Sequence, residues 1–561
     1  MKKVISLLIV AMMVLGLASC SSQTQTPADT TVSTTSAAPK AKNSSDTVLK
    51  LQWFQAIGID TLFENPWHDF QSLYPTMVFD SLIAQNSDGA LVPRLATDWS
   101  VSKDGSTYTF TIRDGVKWQD GEPFKVDDVV WTLNTALKAP DSTSISATLR
   151  EIAGSTEVES GKADTLSGVT ADGNVLTVKL ANPDSNFLPM FAGIYILPKH
   201  LLGSVAPVDL SKNEAFWSHP IGTGAFKIDE VHFPDYFTAV PNENYYGAKP
   251  GIPKVLFTSY NTGGNDAVVA ALIAGDLDFV FGNAINDITV ASNIVAKNPD
   301  VVSKLQISNY MRMFAFNLEA RSDKKNKPDL KKEEVRQAFN LIIDKDAMAS
   351  LYKGQAMALS TLVNPQSSWY NKDIPLHKRD VDKAVSMLKE AGFDFKQTID
   401  VAYYYDDQTT NDLMSLLVQN FADAGITIKT TLLSGDLATL IYKTANYDMI
   451  YLAASCPAPV QMFLRLTTSS SFTFIGDNEK RKNLFDSQYA SALAATEQSQ
   501  QKSLCNQLQV LGYQSAYILP VYSLNTIQMY NSKNVTIPED IFGIDNLGIR
   551  NMNFDKWSLT K

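Results

Sequence analysis

Cysteine is scarce in this chain, with three in 561 residues. Cys20 lies near the N-terminus. Cys456 and Cys505 are the pair left to join in an oxidising compartment, and the sequence leaves a disulfide and two free thiols equally open. Histidine is scarce too. None of His68, His200, His219, His232 and His377 forms an H-E-x-x-H helix, and no Cys–His spacing matches a zinc site, so neither metal nor cofactor is expected. There is no G-x-S-x-G elbow. The Gly-rich "PIGTGAF" (Pro220 to Phe226) lacks the G-K-[ST] ending of a phosphate loop and reads as a tight turn into a strand. The chain is therefore not expected to be an enzyme. Clustered Lys and Arg are missing, and the net charge of −11 comes with no basic stripe, which argues against a nucleic-acid partner. After the first twenty residues no run is long and apolar enough to span a bilayer.

Hydrophobic residues make up 45% of the chain and charged residues 19%, a globular composition. Its length is too great for one core and predicts two or three domains. The N-terminus is different. Lys2 and Lys3 precede an apolar run, Val4 to Leu17, that is shorter than the roughly 20 residues of a membrane span. The run ends on "LASC" (Leu17 to Cys20), which resembles a bacterial lipobox. That likeness implies a signal peptide over 1–20, cleavage before Cys20 and lipidation of its thiol. Residues 21–47 are rich in Ser, Thr, Ala and Pro and have almost nothing to bury, so they read as a flexible tether. Together these segments describe a globular body moored outside the plasma membrane.

Residues 51–300 read mostly as strands and turns. "YTFTI" (Tyr108 to Ile112) alternates as a strand does, Asp-Gly turns follow, and "DDVVWTLNTAL" reads as a helix capped by Asp127. "TADGNVLTVKLANP" repeats the hairpin pattern. The acids Asp120, Asp127 and Asp128 fall in a turn and at a helix start, where carboxylates act as caps. Over 330–510 the pattern changes. Val335, Ala338, Phe339 and Ile342 lie on one helical face; Asp344 and Asp380 can cap further helices; and "IDVAYYY", "ITIKTTLL" and "YDMIYLAAS" read as strands between helices. That alternation predicts an α/β lobe with a largely parallel sheet. Strand returns with "YILPVYSLNTIQMY", so one lobe is interrupted by the other. Core packing is the default for Trp99, Trp118 and Trp131. Trp53, Trp67 and Trp369 lie in loop-like sequence and are better placed for a binding role.

The stretch from Val78 to Leu133 resembles the signature of bacterial extracellular solute-binding proteins of family 5, the peptide- and nickel-binding class that serves ABC importers. The likeness continues in order through "PIGTGAFKI", "NENYYGAKPGIPKV", "AALIAGDLDFV", "FAFNLEA", "EEVRQAFNLIIDKDAM", "VDKAVSMLKEAGF", "FADAGITIK" and "ILPVY". One departure is that Lys125 stands where the family usually has Thr or Ser as a helix cap. The resemblance implies an α/β, two-lobe periplasmic-binding-protein-like fold with an extra small domain. Its two hinge crossings would fall near Tyr310 to Asn317 and Tyr517 to Ser523. Lobe one would comprise 48–80, 195–310 and 517–561, the small domain 81–194, and lobe two 311–516. The expected protein is a monomeric, extracytoplasmic, lipid-anchored receptor that takes a peptide or small-molecule solute and meets the permease subunits of an ABC importer.

In the peptide binders of this family, an Asp after a strand of lobe two holds the peptide's ammonium group. Here that stretch carries no Asp or Glu from Met449 to Gly476, and Arg465 is its one charge. A buried ammonium without a carboxylate would be costly. An oligopeptide-like solute held differently and a neutral polar solute such as an oligosaccharide both remain open. A secreted enzyme or structural lipoprotein is disfavoured, because no catalytic constellation is present. The ligand-binding residues implied are Tyr451, Leu452, Ala453, Ala454 and Ser455, with Trp131 from the small domain and Trp53, Trp67 or Trp369 at the rim.

Overall fold

The computed structural model describes residues 48–560 except 54–62, 64, 68–73, 87–89, 143–144, 261–263, 281–284, 286, 309, 377, 456–457 and 542–551. In chain order its strands are β1 (Val48–Trp53), β2 (Ile83–Gln85), β3 (Leu91–Pro93), β4 (Ala96–Val101), β5 (Thr107–Ile112), β6 (Val169–Asp172) and β7 (Val175–Lys179). Next come β8 (Phe226–His232), β9 (Tyr236–Pro241), β10 (Lys254–Ser259), β11 (Phe279–Val280), β12 (Val301–Gln306), β13 (Met311–Phe316) and β14 (Ala356–Ala358). The last are β15 (Thr398–Tyr403), β16 (Thr427–Leu432), β17 (Met449–Ala454), β18 (Ile518–Leu524), β19 (Thr526–Asn531), β20 (Val535–Thr536) and β21 (Ser558–Leu559). Among the described residues they form a seven-stranded sheet in the order β12-β19-β11-β1-β10-β9-β8 and a six-stranded sheet in the order β14-β18-β13-β17-β15-β16. A four-stranded sheet, β4-β5-β7-β6, and the hairpins β2-β3 and β20-β21 complete the set.

The large sheets belong to two lobes, each with its own core. Leu49, Leu51, Phe257 and Trp557 pack in the first, and this core runs on into the small domain through Phe110, Trp118, Leu133 and Leu176. Phe314, Phe339, Leu417 and Phe421 pack in the second. The alternation in "YTFTI" is real: Tyr108, Phe110 and Ile112 point inward from β5 while its other residues are half-exposed. Gly222 and Gly224 in "PIGTGAF" sit against backbone, and a Cβ there would fall 1.9 Å from the Val78 carbonyl and 2.3 Å from that of Met77. Only glycine allows that approach.

Three expectations are corrected. The helix Val126–Lys138 starts at Lys125 rather than Asp127; the Lys125 backbone N–H donates to Asp128 Oδ2 at 2.8 Å, so the acid caps from inside the first turn. Residues 51–300 also hold more helix than expected, including Gly264–Ala274 and Ile288–Lys297. "AVVAALIA" in the first of these is apolar nearly all round, so no period betrays it. The second sheet is mixed, since only the pairings of β15 with β16 and with β17 are parallel. The antiparallel strands β13 and β18 are those next to the crossings between lobes.

β12 in the first sheet ends at Gln306 and β13 in the second begins at Met311, and Asn525 alone separates β18 from β19 on the return. The crossings are tied together. The Ser308 N–H donates to Asn525 Oδ1 at 3.1 Å, and Asn364 Nδ2 donates to both the Ser308 carbonyl and Ser523 Oγ at 3.2 Å. No described helix is long and apolar enough to cross a membrane.

Candidate functional site

The site is best built from β17. Its sequence, "MIYLAA", is apolar and lies in the middle of the second sheet, between β13 and β15. Asp448 precedes it and is wholly buried, with its Oδ1 accepting from Arg321 Nη1 at 2.7 Å. Arg321 also binds Asp400 and Asp323. Asp448 is thus committed to an ion cluster at the start of the strand. The far end carries Ala453 and Ala454, whose short side chains leave the backbone approachable, and then Ser455. Of the five residues expected here, Tyr451, Leu452 and Ala454 are buried while Ala453 and Ser455 are half-exposed.

Register brings a second group to this end. Arg312 on β13 lies opposite Ala453 of β17 on one side and Tyr522 of β18 on the other. Its guanidinium stacks 3.6 Å from the Tyr405 ring centroid, with the rings of Tyr310 and Tyr451 at 5.2 and 5.7 Å. The Tyr451 and Tyr522 hydroxyls share a hydrogen bond, Tyr522 donates on to Tyr352 at 2.8 Å, and Tyr404 and Tyr405 share another at 3.0 Å. Burial pushes the hydroxyls of Tyr310, Tyr405, Tyr451 and Tyr522 well above the ordinary phenol range, so all stay neutral. The result is one cation in a box of neutral phenols. It sits where β15 and β17 end and β13 begins, at the edge that the chain crosses to reach the first lobe. In α/β proteins ligands bind outside the carboxyl ends of the strands.

The described tryptophan side chains are not among the rings around Arg312. Trp67, expected at the rim, is wholly buried in the core of the first lobe, and its indole N–H donates to the Tyr195 carbonyl at 2.9 Å. Trp131 is half-buried against that same core. Trp369 is half-buried against the second core, and its carbonyl accepts from Gln509 Nε2 at 2.8 Å. Trp53 ends β1, paired with Ser259, and its side chain lies outside the described residues. So do Cys20, His68, His377 and Cys456. Cys505 is a buried free thiol that burial pushes up to about 12. The acids of the small domain are structural: Asp128 accepts from the backbone of Lys125 and Lys199, and Asp120 pairs with His200 at 2.8 Å. Among the described residues no group of three or more His, Cys, Asp or Glu stands where it could hold a metal ion.

The sequence reading named Tyr451 but missed Arg312 and the other tyrosines around it. Two signals were available, a lone Arg inside the apolar strand "MRMFAF" and three consecutive tyrosines, 403–405, at a strand end.

The small domain meets lobe two directly: the Ser185 N–H donates to the Leu493 carbonyl at 2.7 Å and its Oγ to that of Ala492 at 3.0 Å.

Two α/β lobes linked by two short crossings define a bilobal architecture. The chain belongs to the bacterial extracellular solute-binding proteins, family 5, whose middle region it matches over residues 90–473. It is 28% identical over 357 residues to a candidate ABC transporter peptide-binding protein of Brucella ovis, covering 63% of this chain and 62% of that one. The match thus spans less than two thirds of that relative's length. It is 25% identical over 492 residues to the nickel-binding periplasmic protein of Escherichia coli K12, covering 83% of this chain and 88% of that one. Its fold is that of the ABC transporter substrate-binding protein CtaP of Listeria monocytogenes, with a TM-score of 0.72 at 20% identity over 92% of this chain and 100% of that one.

Proposed function

We propose that the protein is the extracytoplasmic receptor of an ABC importer, moored through a lipidated Cys20 and handing an oligopeptide-like solute to the membrane permease. The observation that carries this reading is the placement of the β15–β17 edge. It opens where the chain passes between lobes, and a ligand there would touch both and draw them together. The name of the Brucella relative supports a peptide. So does the approachable backbone at Ala453 and Ala454, because extended peptides are held by main-chain hydrogen bonds. In this reading the boundary expected at 517 moves to Asn525, because β18 belongs to the second sheet: lobe one takes 48–80, 195–310 and 525–561, the small domain 81–194 and lobe two 311–524, with Ser185 and Leu493 in contact between the last two.

The amine end of the solute is held without the usual carboxylate. No Asp or Glu lies between Met449 and Gly476, and Asp448 is occupied by Arg321. This keeps a second reading in view, a neutral polar solute such as an oligosaccharide. A thermal-shift screen of the full chain against pooled peptides and pooled oligosaccharides separates the two. Small-angle scattering with the stabilising pool should then show a smaller radius of gyration. A profile that stays the same at saturation would refute closure.

A further inference from the structure

Arg312 is 5% exposed, and its Nε and Nη1 have no hydrogen-bond partner among the described residues. Of the other four deeply buried arginines of lobe two, Arg465 donates to the Ser455 carbonyl at 3.4 Å and to Met462 Sδ at 3.7 Å, and the remaining three are fully held. Arg321 holds three carboxylates. Arg336 donates to the carbonyls of Ser515, Leu330 and Lys331. Arg481 donates to those of Leu466, Thr467 and Gly476. The guanidinium groups of Arg321, Arg336 and Arg481 are saturated by the fold, and that of Arg312 is not. A buried charge is normally paired, and aromatic faces replace only part of its lost hydration.

Burial acts against the Arg312 charge, and the groups that act on it most strongly are the phenols of Tyr451, Tyr310, Tyr405 and Tyr522, none of which carries a negative charge. The nearby acid Asp407 is already engaged, with its carboxylate accepting from the Thr410 N–H at 2.9 Å and hydroxyl at 2.7 Å. Among the described residues the box therefore holds a cation with free planar donors and no anion. A carboxylate matches that fork in charge and shape.

We propose that Arg312 and the surrounding tyrosines form a subsite for a carboxylate of the solute. It deepens the receptor reading above and rests on it. The Arg312 fork takes the two oxygens of the carboxylate, and the Tyr451–Tyr522–Tyr352 hydroxyl chain lies alongside to donate. A solute carrying a free carboxylate is thereby selected over one whose acid is capped.

The test uses the full chain, a pool of free-acid tetrapeptides, the same pool as C-terminal amides, and a pool of neutral oligosaccharides. The free-acid pool should raise the melting temperature and the amide pool should not. For the tightest free-acid peptide, Arg312→Met should weaken binding about 100-fold, as expected when one partner of a buried charge pair is removed. The melting temperature of the unliganded variant should hold or rise, because an unpaired buried charge is gone. Arg312→Gln repeats the measurement with a polar side chain. Equal stabilisation by acids and amides, or equal affinity of both variants and the wild type, overturns the subsite and leaves the receptor reading standing. A large loss of melting temperature in both variants makes Arg312 a structural pillar and likewise overturns it. Silence of all three pools removes the receptor reading, and the subsite with it.

Discussion

Replacing Asp448 with Ala tests whether the acid beside β17 belongs to the scaffold or to the ligand. Asp448 is wholly buried and the Arg321 side chain is 3% exposed. The substitution deletes the acceptors of two hydrogen bonds, from Arg321 Nη1 at 2.7 Å and from the Asp400 N–H at 2.9 Å. Breaking a buried pair by removing one partner costs about 3–5 kcal/mol, mostly because the other charge is left unpaired. Arg321 keeps Asp323 at 3.0 Å and Asp400 at 3.0 Å, so its charge is not orphaned. The lower end, about 3 kcal/mol, therefore applies. For a lobe of this size each kcal/mol shifts the melting temperature by about 2–4 °C, so its transition should fall by about 6–12 °C. Scanning calorimetry of the full chain reads this shift. Solute affinity, measured below the transition, should be unchanged. A fall under about 2 °C would refute the ion cluster as a support of the lobe. A lost affinity at an unchanged melting temperature would make Asp448 a ligand anchor after all.

Cys20→Ala should release a folded protein from the membrane fraction, and equal retention of variant and wild type would refute lipidation. Trp67→Ala should cost about 3–5 kcal/mol as a core cavity and shift the first lobe's transition; a stable variant with weaker solute binding would return Trp67 to the rim. Lys345 is wholly buried, its ammonium donates to the Leu359 carbonyl at 3.0 Å, and burial pushes it down to about 7. The unfolded chain holds that proton up to about pH 10.4, so between about pH 7 and 10.4 it binds more protons than the folded one. This group's contribution must then rise with pH over that window. The melting temperature of wild type relative to Lys345→Met should climb from pH 7 to 9, and parallel profiles would refute the assignment.

What the sequence disclosed depended on periodicity. The helix carrying Val335, Ala338, Phe339 and Ile342 was legible because one face is apolar and the other polar, and all four residues are buried. The hairpins at Gly115 and Gly173 were legible because Asp-Gly supplies the positive φ that both positions adopt, 74° and 58°. The helix Gly264–Ala274 has no polar face to alternate with and was lost. Trp67 was misread because neighbours in sequence, here Asn65 and Pro66, say nothing about burial set by contacts far along the chain. Its partner Tyr195 is 128 residues away. Arg312 was missed for a related reason. Within "MRMFAF" it looks like one polar residue in a strand, and only the register with β17 and β18 reveals what surrounds it.

The place of β19 has a consequence for the order in which the chain can fold. β19 lies between β12 and β11 in the first sheet, yet it is made long after both. Every strand of the second sheet lies within 311–524, so lobe two can be completed while lobe one still waits for its inserted strand. Until residues 526–531 arrive, β11 and β12 present unpaired edges to each other across an empty slot, the kind of exposed backbone that invites wrong partners. For a chain exported as proposed above, this arrangement gains time. The lobe nearest its N-terminus cannot lock before nearly all of the chain has been made, and the segment that follows the signal stays open for threading through a membrane.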